Sequence, residues 1–144
     1  MARVGDVMTL RVVTVRPNEL AQVAIARMLE ENVGSVAVCD GERPVGIFTE
    51  RDVLRLAGQE GGIGDVRVGD VMTRRLFTVT PDDDILDAAA LMSERRIRHL
   101  PVVEGDNLIG MVGMRDVMRT LVERLWRDHD ADARDRAKEL LRRG

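Results

Sequence analysis

Val4-Gly5-Asp6-Val7-Met8-Thr9 returns letter for letter as Val68-Gly69-Asp70-Val71-Met72-Thr73, and this offset of 64 organises the chain. Carried on without a gap, it aligns Thr14-Val15 and Pro17 with Thr78-Val79 and Pro81, then Ala24, Ala26 and Met28 with Ala88, Ala90 and Met92. Gly41, Gly46, Arg51-Asp52-Val53 and Arg55 recur as Gly105, Gly110, Arg115-Asp116-Val117 and Arg119. The register holds over residues 4–55 and 68–119, so two copies of one supersecondary unit fill most of the chain. Gly58-Gln59-Glu60-Gly61-Gly62-Ile63-Gly64 separates them, and its glycines favour a flexible connection. The expected organisation is a first repeat at 1–57, a linker at 58–66, a second repeat at 67–122 and a tail at 123–144.

Within a copy the apolar pattern alternates between two periods. Val12 to Val15 reads as a short strand, Pro17-Asn18-Glu19 opens a helix, and Ala21, Ala24, Ile25, Met28 and Leu29 mark its apolar face. Gly34 can end it. Ser35 to Cys39 and Pro44 to Phe48 read as strands joined by a turn at Asp40-Gly41-Glu42, which makes a hairpin. Thr49 follows as a helix N-cap, with Asp52 at the capping-box position. Each unit is thus an α/β motif of order strand, helix, strand, strand, helix. So few strands cannot bury both faces alone, and the two units are expected to pack pseudo-symmetrically around one core.

From Met114 onward the pattern stays helical. Val117, Leu121, Leu125, Ala133, Ala137 and Leu141 form a stripe that Asp128-His129-Asp130 is expected to interrupt. Two readings of this C-terminal helical extension stand side by side: a solvated helix packing back on the domain, and a dimer contact.

Composition narrows the function. The 144 residues are 44% hydrophobic and 33% charged, with enough aliphatic side chains for a core, so disorder is not expected. The longest strictly apolar run, Ala88 to Met92, is far short of a bilayer span, so no membrane association is expected. Asp6 stands where a signal peptide needs apolar residues, which points to the cytoplasm. Cys39 is the single cysteine, which excludes an internal disulfide. A net charge of −3 argues against a nucleic-acid partner. No phosphate-wrapping Gly-x-x-x-x-Gly-Lys loop and no histidine with a placed nucleophile are present, so no catalytic residues and no metal site are expected.

The tandem unit, with Asp-Val-Met-Thr at its start and Gly46-Ile47-Phe48-Thr49-Glu50-Arg51-Asp52 at the end of its hairpin, resembles the CBS domain, named for cystathionine β-synthase. The resemblance covers about residues 4–120. It implies two repeats joined through their sheets and two symmetry-related clefts for adenosine-containing ligands such as AMP, ADP, ATP or S-adenosylmethionine. It also implies a disc-like homodimer and an effector protein that the sequence does not name.

In such a family the aspartate of Gly-x-x-Thr-x-x-Asp holds the ribose hydroxyls, a role open to Asp52 and Asp116. An ionised carboxylate can accept from both hydroxyls of a cis-diol. Thr49 and the helix N-terminus behind it offer donors to a phosphate, whereas Gly113, its counterpart, has no side chain. The resemblance implies that each cleft is shared between repeats. Thr49 and Asp52 then face Arg98-His99-Leu100-Pro101, while Gly113 and Asp116 face Gly34-Ser35-Val36-Ala37. The first set suits ribose plus phosphate. The second is open to adenosine alone or to nothing. Thr78 and Thr80 are expected to add contacts to the first cleft and Thr14 to the second, with Leu100, Ile85 and Ile47 as walls for the adenine.

Plainer readings compete at several of these positions. Asp52 and Asp116 can be capping acids only, and Arg98 and His99 surface polar residues. Asp82-Asp83-Asp84 sits at a helix start, where acids favour the positive dipole end, so capping is expected there over metal binding. Cys39 is expected in the core and Trp126 as an anchor for the tail. The expected function is a stand-alone, non-catalytic regulator that senses an adenine nucleotide. The alternative is an adaptor that keeps the fold, dimerises and binds no ligand.

Overall fold

The computed structural model describes residues 2–128 and 131–143. The first copy opens with a one-turn helix, α1 (Val4–Val7), followed by β1 (Thr14–Val15), α2 (Ala21–Glu31), β2 (Ser35–Asp40), β3 (Arg43–Thr49) and α3 (Glu50–Ala57). The second repeats the order with α4 (Val68–Val71), α5 (Ile85–Arg95), β4 (His99–Glu104), β5 (Asn107–Gly113) and α6 (Met114–Asp128), and α7 (Ala131–Arg143) closes the chain. β1 runs parallel to β2, and β2 pairs antiparallel with β3. β4 and β5 form the equivalent hairpin, and Val79 bridges Val102 in parallel, where Val15 pairs with Val38 in the first copy. The offset of 64 therefore holds in strand register as well as in sequence.

The expected order of strand, helix, strand, strand, helix holds in the first copy behind the added helix α1; in the second, behind α4, an isolated bridge at Val79 stands in place of the first strand. The ends of the first long helix also differ. Pro17-Asn18-Glu19 forms a turn and does not open the helix, because the Glu19 carboxylate accepts from the Arg16 N–H at 2.9 Å. Helix α2 starts after Leu20, which is extended at ψ 144°. The helix ends before Gly34: Asn32 takes the left-handed conformation at φ 53°, and its N–H reaches back to the Met28 and Leu29 carbonyls. Asparagine tolerates that conformation through its short polar side chain. Strand β1 is also shorter than Val12–Val15, and the hairpin turn is Gly41-Glu42, since β2 extends through Asp40.

The single shared core that the sequence suggests is in fact two. Val68 (0% exposed) and Met72, from the second copy's leader, are buried with Val15, Met28, Val36 and Phe48 of the first copy. Val4 (0% exposed), from the first copy's leader, is buried with Ile85, Met92, Leu100 and Val117 of the second. The copies thus exchange their opening helices, each completing the other's core. Backbone pairing fixes the exchange: Thr73 and Ile47 trade N–H···O bonds of 2.9 and 3.0 Å, as do Thr9 and Met111 at 2.8 and 3.0 Å. Gly46 and Gly110 allow this close passage, because a Cβ at Gly46 would collide with Met72 and one at Gly110 would lie 2.9 Å from the Met8 sulfur. Each fully buried Val or Met of a leader contributes about 1.5–3 kcal/mol. Separating the copies would lose that burial in both cores at once.

The tail follows its stripe only in part. Val117 (0% exposed) and Leu121 join the second core, whereas Leu125 and Leu141 are exposed. Of the expected interruption at Asp128-His129-Asp130, Asp128 is the last residue of α6, and His129 and Asp130 lie outside the described residues. Trp126 is half-buried, and its carbonyl accepts from Arg134 at 2.8 Å. Cys39 is buried as expected, and burial raises its thiol pKa. Of the triplet only Asp84 has the capping role expected, accepting from the Leu86 N–H of α5 at 2.8 Å; Asp83 accepts from Thr80 N–H at 2.8 Å within the preceding turn, and Asp82 faces Arg3 at 3.5 Å. No helix among the described residues is long and apolar enough to cross a membrane.

Candidate functional site

Helix α3 begins at the end of β3, so its first turn opens on the side where the other copy packs. There Thr49 and Asp52 form the capping box: Thr49 N–H donates to the Asp52 carboxylate at 3.0 Å, and Asp52 N–H reaches the Thr49 hydroxyl at 3.4 Å. The capping reading of Asp52 is therefore correct as far as it goes. The same carboxylate also accepts from the Thr73 hydroxyl, at 3.1 Å to one oxygen and 3.3 Å to the other, and faces Arg55 at 3.5 Å. Asp52 is only 4% exposed. A buried carboxylate is tolerated when its lone pairs are this well occupied.

Asp52 lies at the floor of a cleft of about 910 Å³, lined by α3 of the first copy and by the end of α5 and the start of β4 of the second. Thr49, Asp52, Arg98, His99 and Pro101 meet there, as the shared-cleft reading expects. Ile47 lines it too. Leu100 and Ile85 do not: both are 0% exposed in the second core. The alternation of β4 explains Leu100, since His99 and Pro101 turn toward the cleft and the residue between them turns inward. Thr78 and Thr80 are exposed and lie outside the lining. They flank Val79, whose side chain is buried in the core, so strand alternation turns both away from it.

The pseudo-equivalent cleft is larger, about 1090 Å³, and holds Gly113, Asp116, Gly34 and Ser35. Val36 and Ala37 are fully buried and do not line it, and Thr14 is likewise absent from its walls. Leu29, expected on the apolar helix face, is 78% exposed at its rim. Asp116 pairs with Arg119, and no bond equivalent to Thr73–Asp52 reaches it among the described residues.

His99 stands between the clefts and lines both. Its ring lies between two glycines: a Cβ at Gly34 would be 3.4 Å from Cε1 and one at Gly113 3.6 Å from Cδ2, both ordinary contact distances. At Gly34 that Cβ would also collide with the Glu50 carboxylate. Burial lowers the His99 pKa and Arg98 lowers it further, against the attraction of Glu50 and Asp116. The imidazole is therefore neutral at pH 7.

Three features of the cleft escape a reading of the sequence. Thr73 belongs to the repeated Asp-Val-Met-Thr segment, where it serves only as a marker of the repeat until the fold brings it to Asp52. Beside Arg98, the Asp52 cleft also carries Arg51, Arg55, Arg75, Arg95 and Arg96. A signal for these exists at the repeat offset, where Arg95 and Arg96 stand against Glu31 and Asn32. Phe77, too, lines the cleft although aromatic residues are few.

Two copies that exchange leaders and enclose a pair of clefts at their junction define a tandem-repeat cleft module. The chain belongs to the CBS domain family, whose model matches residues 4–58 and 68–123. It is 36% identical over 117 residues to the CBS domain-containing protein YhcV of Bacillus subtilis, covering 81% of this chain and 84% of that one. It is 44% identical over 105 residues to the mitochondrial CBS domain-containing protein CBSX3 of Arabidopsis thaliana, of whose length it spans 51%. Among solved structures, that of CBSX2 in complex with AMP superposes with a TM-score of 0.77 at 29% identity, covering 85% of this chain and 98% of the other.

Proposed function

We propose that this chain is a non-catalytic regulatory module that binds an adenine nucleotide in the Asp52 cleft and reports its occupancy to a partner protein. The observation that carries the reading is the meeting of Thr49 and Asp52 from one copy with Arg98 and His99 from the other around a single cleft. Glu50 N–H is taken by the Gly34 carbonyl at 3.1 Å and Asp52 N–H by the Thr49 hydroxyl, so the Arg51 N–H and the Thr49 hydroxyl are the first-turn donors suited to phosphate, and Arg98 adds charge. Asp52 is the acceptor suited to the ribose diol, with the ligand's hydroxyls taking over from Thr73. The complex of CBSX2 with AMP supports an adenosine ligand here.

A ligand clamped between copies stabilises only arrangements that keep both halves of the cleft together, and it shifts conformations by that difference in affinity. At about one hundred times the dissociation constant the linkage amounts to about 2.7 kcal/mol. That suffices to change a contact with an effector or with a second copy in a homodimer. Calorimetry with AMP, ADP, ATP and S-adenosylmethionine tests the reading on protein freed of carried-over nucleotide. Saturable binding of an adenosine compound that Asp52→Ala weakens is expected. Binding of none would leave the ligand-free adaptor as the function.

A further inference from the structure

The Asp52 cleft carries more positive charge than a nucleoside monophosphate can use. Arg51, Arg55, Arg75, Arg95, Arg96 and Arg98 line it against three carboxylates, those of Glu50, Asp52 and Glu94. Of the six guanidiniums, Arg55 alone has a carboxylate within 4.0 Å among the described residues. The other cleft is closer to balance, with Arg11, Arg98 and Arg115 against Glu50 and Asp116. There Arg11, the counterpart of Arg75, pairs with Glu31 at 3.8 Å. The counterpart of Glu31 is Arg95, so the equivalent ion pair has become two like charges. These lie over one aromatic ring: the Arg75 and Arg95 guanidinium carbons are 5.3 and 4.9 Å from the centre of Phe77. The corresponding position in the first copy is Val13, which cannot hold a cation this way.

Like charges gathered without counter-charge raise the energy of the empty cleft and lower it again when an anion arrives. A terminal monophosphate brings about two negative charges at neutral pH, fewer than the cleft's excess of cations over carboxylates. We infer that the Asp52 cleft is built for a polyphosphate chain, with Arg75 and Arg95, held on Phe77, as the outer clamp beyond the Thr49–Arg98 end. The inference rests on the reading of the cleft as a nucleotide site and narrows it to nucleoside di- and triphosphates. Arg75 and Arg95 are then specificity residues that separate ATP from AMP.

Calorimetry on the full chain with AMP, ADP, ATP and inorganic tripolyphosphate tests this. ATP is expected to bind about tenfold or more tightly than AMP, as one or two added charge-assisted contacts imply, with a steeper loss of affinity as salt rises. Inorganic tripolyphosphate is expected to bind and to be displaced by ATP. Arg75→Gln and Arg95→Gln, both at exposed positions, should weaken ATP and tripolyphosphate about tenfold while changing AMP by less than about twofold, and Arg11→Gln should change none of them. If AMP binds as tightly as ATP and tripolyphosphate does not bind, the clamp is wrong and the nucleotide reading survives. Tripolyphosphate binding without any nucleotide binding has the opposite meaning: the clamp stands and the nucleotide reading falls. Failure of all four ligands overturns both.

Discussion

Asp52 is 4% exposed and holds Thr49, Thr73 and Arg55, while at the equivalent point of the other copy the Asp116 side chain is 30% exposed and pairs with Arg119. The backbones around these aspartates correspond residue for residue, down to the Thr73–Ile47 and Thr9–Met111 pairings that bring each leader past a hairpin. What differs is a small set of side chains: Thr49 against Gly113, Glu50 against Met114, Arg98 against Gly34, His99 against Ser35 and Arg95 against Glu31. Core pairs such as Val15 and Val79 or Met28 and Met92, and the passage glycines Gly46 and Gly110, recur in both copies because the symmetric scaffold requires them. The five cleft pairs just named are under no such requirement and differ. One cleft has become a groove with six arginines, and the other is a larger one with three, where Ile25, Met28, Val53 and Met111 line the wall beside Asp116.

The sharpest way to break this comparison is to remove each aspartate. Asp52→Ala is expected to weaken nucleotide binding by about tenfold or more, the worth of charge-assisted hydrogen bonds to a diol, and Asp116→Ala by less than about threefold. Asp52→Asn, which keeps the shape, separates loss of charge from loss of packing. Equal effects by calorimetry would show that the clefts do not differ in the way their side chains suggest.

A 2′-deoxy nucleotide probes the same carboxylate from the ligand's side. One lost hydroxyl should cost about fivefold in affinity, and indifference to it would remove the ribose role from Asp52.

Thr73 and Thr9 compare the clefts without any ligand. Thr73→Val deletes a hydrogen bond to a buried carboxylate and should cost about 1 kcal/mol of stability in urea denaturation, whereas Thr9→Val should be close to neutral. A Thr73→Val, Asp52→Asn double-mutant cycle with no coupling energy would show that the 3.1 Å contact carries no stability.

The smallest expected effect is on pH. Because burial holds the folded His99 pKa below its ordinary value near 6.5, the unfolded chain binds the proton more readily. The stability His99 contributes is therefore complete above about pH 6.5 and falls as pH drops toward the folded value. His99→Gln should flatten that acid limb, read as a smaller loss of stability between pH 7 and pH 6 in urea denaturation. From sequence, nucleotide affinity is expected to rise as pH falls toward about 6.5; desolvation of the ring displaces that rise to lower pH, since an adjacent phosphate must offset the cost of charging a buried imidazole. An acid limb unchanged by the substitution would show that burial of His99 does not weaken its hold on the proton.

Much of this is legible in the chain itself. Thr49 and Asp52 stand three residues apart at the end of a hairpin strand, and local capping physics places them at a helix N-terminus whatever the rest of the molecule does. The family resemblance assigns Arg98, His99 and Pro101 to the opposite wall, and strand alternation separates them from Leu100, which is expected beside them from sequence and lies in the core instead. Thr78 and Thr80 depart from expectation for the same reason, because a strand's period of two decides which neighbours of a buried valine turn away from it. Arg75 and Arg95 are out of reach as a pair: they lie on different elements and meet only through the ring of Phe77.

By itself the sequence determined the doubled architecture, the order of elements within each copy and the capping chemistry of Asp52, since all three depend on local periodicity and on a repeat visible at one offset. Only the tertiary structure decided that the leaders are exchanged between two cores, that Thr73 closes over Asp52 and that six arginines line one cleft. These are contacts between segments distant along the chain, and burial and charge at such contacts are set by where the backbone is carried rather than by what stands next to a residue in sequence.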